Sequence, residues 1–133
     1  MLEAEDYFAI QNLYGRYYAL FDAQRSGEWA DCFAPRGKFL VPPDLTVSGR
    51  DGLIAFAEGT FSEVGPLRHI TANLIIEPAD SGARGGCSAL LVKQSAGEAP
   101  PAPFATAWYE DELVKRAGRW YFDRRTVRTD GTG

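Results

Sequence analysis

The N-terminal part of the chain places apolar side chains at steps of three and four residues. The residues with this spacing are Ile10, Leu13, Tyr14, Tyr17 and Phe21. Such spacing is typical of one face of an α-helix. Glu3, Glu5 and Asp6 precede it, where carboxylates favour the positive end of the helix dipole. Ser26 then predicts the N-cap of a short second helix over Gly27–Phe33.

The next segment combines a short strand with a third helix. Lys38–Val41 is predicted to be a brief strand that ends at Pro42-Pro43. A new apolar face begins after Gly49–Gly52 and predicts the third helix. Gly65-Pro66 ends this helix, because both residues interrupt helical structure.

From Arg68 onward the hydrophobic period changes to two, which is typical of β-strands. One strand face carries Ile70, Ala72, Leu74 and Ile76, and the other carries His69, Thr71, Asn73 and Ile75. Further strands are predicted over Cys87–Lys93, Phe104–Val114 and Trp120–Arg128. A proline-rich loop is predicted over Ser95–Pro103 and a hairpin turn at Arg116–Arg119. The tail Thr129–Gly133 is predicted to be frayed. Helices followed by a largely antiparallel sheet predict an α+β fold, in one domain over 1–133 with its ordered core at about 5–128.

Composition narrows the possible partners. The hydrophobic fraction of 45% is that of a folded domain, and the net charge of −4 disfavours nucleic acid and anionic membranes. The acidic N-terminus does not look like a secretory signal. Cys32 and Cys87 are too far apart for a metal or redox motif. We therefore expect a cytoplasmic protein without a bound metal.

Candidate chemistry centres on the only histidine, His69, which opens a strand whose same face carries Thr71 and Asn73. Asp22 lies at the margin of the first helix's apolar face, in the last turn, where a carboxylate needs a compensating donor. A carboxylate that binds one imidazole nitrogen fixes the tautomer and makes the other nitrogen a better base. Candidate groups for the polar end of a substrate are Tyr14, Tyr17, Tyr18, Asn73 and Arg125.

Each of these residues also has a structural interpretation. A histidine at a strand start commonly has a structural role, and Asp22 could bind its own backbone in a turn. Helix tyrosines such as Tyr14 commonly fill a core. Arg125 could belong to a structural ion pair, and Asn73 to the surface. Spacing alone leaves these alternatives open.

The run Ala9–Tyr17, with Asp22 following, resembles the opening helix of SnoaL-like and scytalone-dehydratase-like proteins of the nuclear transport factor 2 superfold. Arg68-His69 with Asn73 resembles the central-strand motif of that family. Tyr109, Asp111, Trp120 and Arg125 are similar to its closing hairpin. The resemblance covers about 5–128 and implies a cone-shaped barrel, with a bent, mostly antiparallel sheet wrapped around N-terminal helices.

In enzymes of this family, an Asp-His pair at the positions of Asp22 and His69 abstracts a proton without a metal or organic cofactor. The resemblance implies a lyase or isomerase (dehydratase, dehydrohalogenase or polyketide cyclase-like) that acts on a small apolar ring compound. Scytalone dehydratase itself uses a second histidine and a tyrosine just before the aspartate, where this chain has Phe21. The dehydrochlorinase has a lysine at the position of Tyr17. These departures point to a different substrate.

A second hypothesis is a non-catalytic module, which either binds a small ligand or resembles the β subunit of ring-hydroxylating dioxygenases. If His69, Thr71 and Asn73 face the cavity, the strand face that carries Ile70, Ala72, Leu74 and Ile76 is expected to lie on the outer side of the sheet. A large exposed apolar surface favours burial against another copy of the chain. We therefore expect a homodimer or homotrimer.

Overall fold

The first helix is capped at its start and buried along one face. A computed structural model describes residues 1–95 and 97–131. In it, α1 spans Ala4–Asp22. The backbone N–H of Glu3 donates to Asp6 Oδ2 at 2.9 Å, which satisfies a free amide at the helix start. The apolar face predicted from the spacing is buried, so α1 supplies one wall of the core.

The second helix is shorter than predicted. It spans Ser26–Ala30, with Arg25 rather than Ser26 at the N-cap position. Phe33 belongs instead to the first strand, because its backbone pairs with Phe122. Strand pairing between residues far apart in the sequence therefore ends the helix before the apolar pattern ends. The third helix, α3 at Arg50–Val64, confirms the boundaries set by the flanking glycines.

In the described residues, six strands form one sheet in the order β2-β1-β6-β5-β4-β3. Their bounds are β1 Phe33–Val41, β2 Leu45–Ser48, β3 Leu67–Ala79, β4 Gly82–Lys93, β5 Ala102–Arg116 and β6 Arg119–Thr129. β1 runs parallel to β6, and the other neighbouring strands are antiparallel. The predicted α+β class with a mostly antiparallel sheet is confirmed. The short strand β2 was not predicted.

The predicted loop Ser95–Pro103 and tail Thr129–Gly133 are partly strand. Ala102 and Pro103 belong to β5, and Thr129 ends β6. Residue 96 and residues 132–133 lie outside the described residues. In the described part of the chain, no helix is long and apolar enough to cross a membrane.

The sheet has an inner face against the helices and an outer face. Inner residues of neighbouring strands pair directly, as Cys87 does with Tyr109, and both are buried. On β3 the alternation breaks: the register shifts between Ala72 and Ile75, and Asn73 has a φ of 60°. Ile75 is therefore 52% exposed, whereas Ile76 packs against the core. The prediction that Ile76 faces outward with Ile70 is wrong, because alternation across this irregularity changes face.

Candidate active site

Asp22 and His69 lie in direct contact. Asp22 Oδ1 is 2.6 Å from His69 Nδ1, and Asp22 Oδ2 accepts the backbone N–H of His69 at 2.8 Å. Asp22 is the last residue of α1, and His69 is the third residue of β3. The two donors of His69 compensate the carboxylate at the negative end of the helix dipole. The end of α1 is thereby bonded to the edge strand of the sheet.

This arrangement defines the protonation of the imidazole ring. A carboxylate only accepts hydrogen bonds, so Nδ1 of His69 carries a proton and donates it to Asp22. In the neutral ring, Nε2 then has a free electron pair. Among the described residues, none forms a hydrogen bond with Nε2. His69 is therefore an oriented ring with one unused basic nitrogen.

Aromatic rings enclose the dyad. The Tyr18 ring lies 5.3 Å from the His69 ring, and the Phe21 ring lies 5.4 Å away in an edge-on arrangement. The side chains of His69 and Asp22 are only 7% and 9% exposed. Little solvent competes for the bonds between them, which strengthens the electrostatic coupling of the pair.

A second carboxylate, Asp111 on β5, holds Arg125 on β6 in the centre of the core. Asp111 Oδ1 accepts from Arg125 Nε at 2.8 Å, and Oδ2 accepts from Nη2 at 2.9 Å. The Tyr14 hydroxyl also donates to Oδ2. Both side chains of the ion pair are 0% exposed. Arg125 thus forms the ion pair that the structural interpretation anticipated.

Tyr18 connects the two carboxylate sites. Its hydroxyl accepts from Arg125 Nη2 at 3.0 Å and lies 3.2 Å from Cys87 Sγ, while its ring packs against His69. Burial raises the pKa of the Tyr14, Tyr17 and Tyr18 hydroxyls, so all three stay protonated. Burial disfavours the Arg125 charge, but Asp111 beside it holds the pKa of the guanidinium above its ordinary value. The tyrosines are therefore hydrogen-bond donors at any physiological pH.

The structure brings most predicted site residues into one interior, with one exception. Tyr14, Tyr17, Tyr18 and Arg125 are buried, and Tyr18 contacts both His69 and Arg125. Asn73 is exposed at the β3 irregularity and makes no side-chain hydrogen bond to a described residue. Its predicted role in substrate binding gains no support from its position.

Three interior residues were not predicted as part of the site. Asp111 and Tyr109 entered the sequence argument only as members of a resembling motif, and Trp29 only as part of the predicted second helix. Asp111 could have been predicted, because Asp111 and Arg125 lie opposite each other on the inner face of β5 and β6. For Trp29, no local signal distinguishes an unpaired indole from ordinary core.

The clefts found among the described residues lie away from the dyad. Asp22 and His69 line none of the five. One of these clefts, of about 610 Å³, lies on the outer face of the sheet beside Ile75 and Trp108. Among residues 1–95 and 97–131, no group of three His, Cys, Asp or Glu side chains could hold a metal ion.

Solved structures with similar folds come from several bacteria. A protein of unknown function from Mycobacterium tuberculosis is 27% identical, with a TM-score of 0.84, over 94% of this chain and 72% of that one. A provisionally assigned scytalone dehydratase from Novosphingobium aromaticivorans is 25% identical, with a TM-score of 0.80, over 94% and 84%. A Catenulispora acidiphila protein, in complex with S-DNPA, is 24% identical, with a TM-score of 0.86, over 96% of each chain.

A comparison with curated proteins finds no match. The shared architecture is the NTF2-like, or cystatin-like, fold. The model of the SnoaL-like domain family matches residues 2–126, nearly the whole described chain. This chain therefore belongs to the SnoaL-like domain family.

Proposed function

We propose that this protein is a lyase or isomerase that needs no cofactor and acts on a small, mostly apolar ring compound. The observation that carries the proposal is the His69 ring, which Asp22 orients and whose Nε2 stays unused. A nitrogen in this state can take a proton from a carbon next to a carbonyl group. A family relative assigned provisionally to scytalone dehydratase, and another crystallised with S-DNPA, support a small-molecule substrate.

The proposed reaction has two stages. His69 Nε2 removes the proton, and the electron pair of the broken C–H bond moves to the carbonyl oxygen as an enolate. Asp22 stabilises the imidazolium that results, while protonated hydroxyls such as those of Tyr17 and Tyr18 donate to the charged oxygen. The enolate then expels a leaving group, which completes a lyase reaction, or recovers the proton at another carbon, which completes an isomerisation.

Hydrogen–deuterium exchange at carbon tests this proposal directly. We expect the protein in D₂O to accelerate exchange of the hydrogens next to the carbonyl of α-tetralone and related ring ketones, followed by proton NMR. His69→Ala should lower this rate by about 10²- to 10⁴-fold, the usual contribution of a general base. Asp22→Asn should also lower the exchange rate, because the carboxylate that orients His69 is lost. Asp31→Asn is its control, because Asp31 pairs with the exposed Arg50 at 2.8 Å.

A result in which His69→Ala leaves the exchange rate unchanged would contradict the proposal. Binding of the ketone without any exchange would instead favour the non-catalytic hypothesis of a small-ligand-binding module. Copurification with a larger iron–sulfur chain would favour the dioxygenase-subunit alternative.

We also propose that the outer face of the sheet packs against another copy of the chain, as a homodimer or homotrimer. Ile70 and Ile75 on this face are 51% and 52% exposed, and Leu90 on the neighbouring strand is 37% exposed. Grouped apolar side chains of this kind commonly mark an interface. Sedimentation should show an oligomer at micromolar concentration, and the double substitution Ile70→Lys, Ile75→Lys should give monomers. A monomeric wild type would contradict this.

A further inference from the structure

The turn between β5 and β6 places two arginines directly opposite each other. Arg116 ends β5, Arg119 begins β6, and the two residues pair in register. Between them, Ala117 and Gly118 have φ values of 50° and 79°, as a tight two-residue hairpin requires. Residues paired in this way have their Cβ atoms about 5 Å apart, and like charges at that distance destabilise the pairing. The hairpin therefore ends in an unfavourable pair of cations.

Within the described residues, no carboxylate relieves this repulsion. Neither Arg116 nor Arg119 forms a salt bridge there. The guanidinium of Arg119 lies 5.5 Å from the centre of the Tyr121 ring, a cation–π contact that adds no negative charge. By contrast, the exposed side chains of Arg25 and Arg128 each have a glutamate partner. An anion from outside the chain would supply the charge that Arg116 and Arg119 lack.

The two arginines line a cleft of about 570 Å³. Its other walls come from the end of α2, the start of β1 and the start of α3, which contribute Asp31, Pro35 and Arg50. Arg50 is already paired with Asp31 at 2.8 Å, so these two charges cancel. Three arginines against one aspartate leave an excess of two positive charges in the cleft, although the net charge of the chain is −4.

The base of the cleft is apolar. Buried side chains from α2, β1 and α3 line it, namely Ala30, Phe33, Ala34 and Leu53. An inorganic ion would leave this surface uncovered, whereas the apolar body of an organic ligand would remove it from water. The volume also lies within the range of roughly 300–1,000 Å³ that is usual for small-molecule sites. The cleft therefore suits an organic anion of small size.

The cleft lies at the other end of α3 from the Asp22–His69 dyad. Arg50, which lines the cleft, begins α3. Near the end of the same helix, the Phe61 ring lies 5.2 Å from the Phe21 ring, which contacts His69. At 1.5 Å per residue, Arg50 and Phe61 are about 16 Å apart along the helix axis. The cleft is therefore a separate site, and nothing in it depends on the proposed function.

We propose that this cleft binds a small organic phosphate monoester, with the phosphate between Arg116 and Arg119 and the apolar body on the base of the cleft. A phosphate monoester carries about 1.5 to 2 negative charges at neutral pH, which matches the two unpaired cations. Its oxygens accept hydrogen bonds in pairs from guanidinium groups. A carboxylate would neutralise one of the two arginines and leave the other uncompensated. The concave apolar base favours a small molecule over a phosphorylated protein segment.

Calorimetry with phenyl phosphate, benzoate and phenol tests the proposal, because these ligands share one ring and differ in charge. We expect phenyl phosphate to bind about tenfold more tightly than benzoate, and phenol to bind more weakly than either. Inorganic phosphate, which cannot cover the apolar base, should bind about fivefold more weakly than phenyl phosphate. The affinity for phenyl phosphate should fall as the salt concentration rises, because the two arginines are exposed.

Two variants test the assigned residues. Arg116→Gln and Arg119→Gln should each weaken the binding of phenyl phosphate about fivefold or more, because each removes one of the two charges. Arg124→Gln is the matched control: Arg124 also lies on β6 and is 50% exposed, but it lies beside Glu112 and does not line the cleft. This control should keep the wild-type affinity.

Thermal unfolding gives a second readout. Without any phosphate, Arg116→Gln should keep or raise the Tm, because the variant removes the repulsion from Arg119. Phenyl phosphate should raise the Tm of the wild type more than that of the variant, because a ligand stabilises the state that binds it. A variant that unfolds at a lower Tm than the wild type in phosphate-free buffer would contradict the assigned repulsion.

The remaining outcomes separate this proposal from its alternatives. Equal affinities for phenyl phosphate and phenol, or an equal loss of affinity in Arg124→Gln and Arg119→Gln, would overturn the site. A phosphotyrosine peptide that binds more than about tenfold tighter than phenyl phosphate would overturn the assignment to a small molecule. His69→Ala should keep the wild-type affinity for phenyl phosphate, so failure of the proposed function leaves this inference intact.

Discussion

Burial alone would not distinguish the carboxylate site of Asp111 from that of Asp22. Asp111 and Arg125 are 0% exposed, and the Asp22–His69 side chains are nearly as buried. Asp111 uses both oxygens on Arg125 and Tyr14, and so braces the core. Asp22 also uses both oxygens, but its partner His69 retains an unused basic nitrogen. Arg125 also leaves one nitrogen, Nη1, without a partner, but that nitrogen can only donate. The kind of atom that a buried pair leaves unused, here a basic nitrogen on His69, indicates chemistry better than the depth of the pair does.

The largest effect should come from the structural pair. Asp111→Asn removes the charge that compensates Arg125, so a guanidinium stays buried without a counter-ion. We expect about 3–5 kcal/mol of lost unfolding free energy in urea denaturation. Glu110→Gln is the control, because Glu110 pairs at the surface with Arg128 and should change stability by at most about 1 kcal/mol. Equal losses in the two variants would contradict this assignment.

The dyad should contribute less to stability. Asp22→Asn weakens two hydrogen bonds from His69, and we expect a loss of about 1–3 kcal/mol. The sharper measurement is nitrogen NMR, which should show the proton on Nδ1 in the wild type and a mixture of tautomers in the variant. A ring with its proton on Nε2 in the wild type would contradict the proposed base.

A substitution at Gly85 tests the Asp111 site alone, through a steric clash. A Cβ at this position would clash with the Tyr14 hydroxyl, so Gly85→Ala must displace the donor that binds Asp111. We expect a loss of about 1–3 kcal/mol, as for other overpacked core positions. Gly59→Ala is the control, because it lies in α3 with open space around it and should be neutral or slightly stabilising. Full stability of Gly85→Ala would show that Tyr14 can leave Asp111 without cost.

The smallest effect is on the pH dependence of stability, and it comes from Asp6, which lies outside both sites. The Glu3 backbone N–H, then Lys115 and Trp120, lower the pKa of Asp6 to about 2. Since the pKa of an unfolded aspartate is about 3.9, this carboxylate stabilises the fold above that pH. The contribution is lost as the pH falls from about 4 to about 2. The stability difference between wild type and Asp6→Asn should therefore shrink over this range; a constant difference would contradict it.

Local patterns were sufficient for the first and third helices. The spacing of Ile10, Leu13 and Phe21 identified the buried face of α1, because a helix brings such residues together over a few turns. The glycines around α3 marked its ends for the same local reason. The pattern failed where partners were distant: Phe33 joined a strand, and the face of β3 changed at Asn73. Strand pairing, which alternation cannot reveal, decided both.

The sequence by itself determined the fold class and pointed to Asp22 and His69, since the awkward carboxylate and the single histidine were visible in it. Only the tertiary structure decided that Arg125 is sealed against Asp111 and that Trp29 keeps an unpaired donor. The physical reason is that a hydrogen bond between distant residues depends on strand register and side-chain packing. Both are set when the whole sheet closes on the helices.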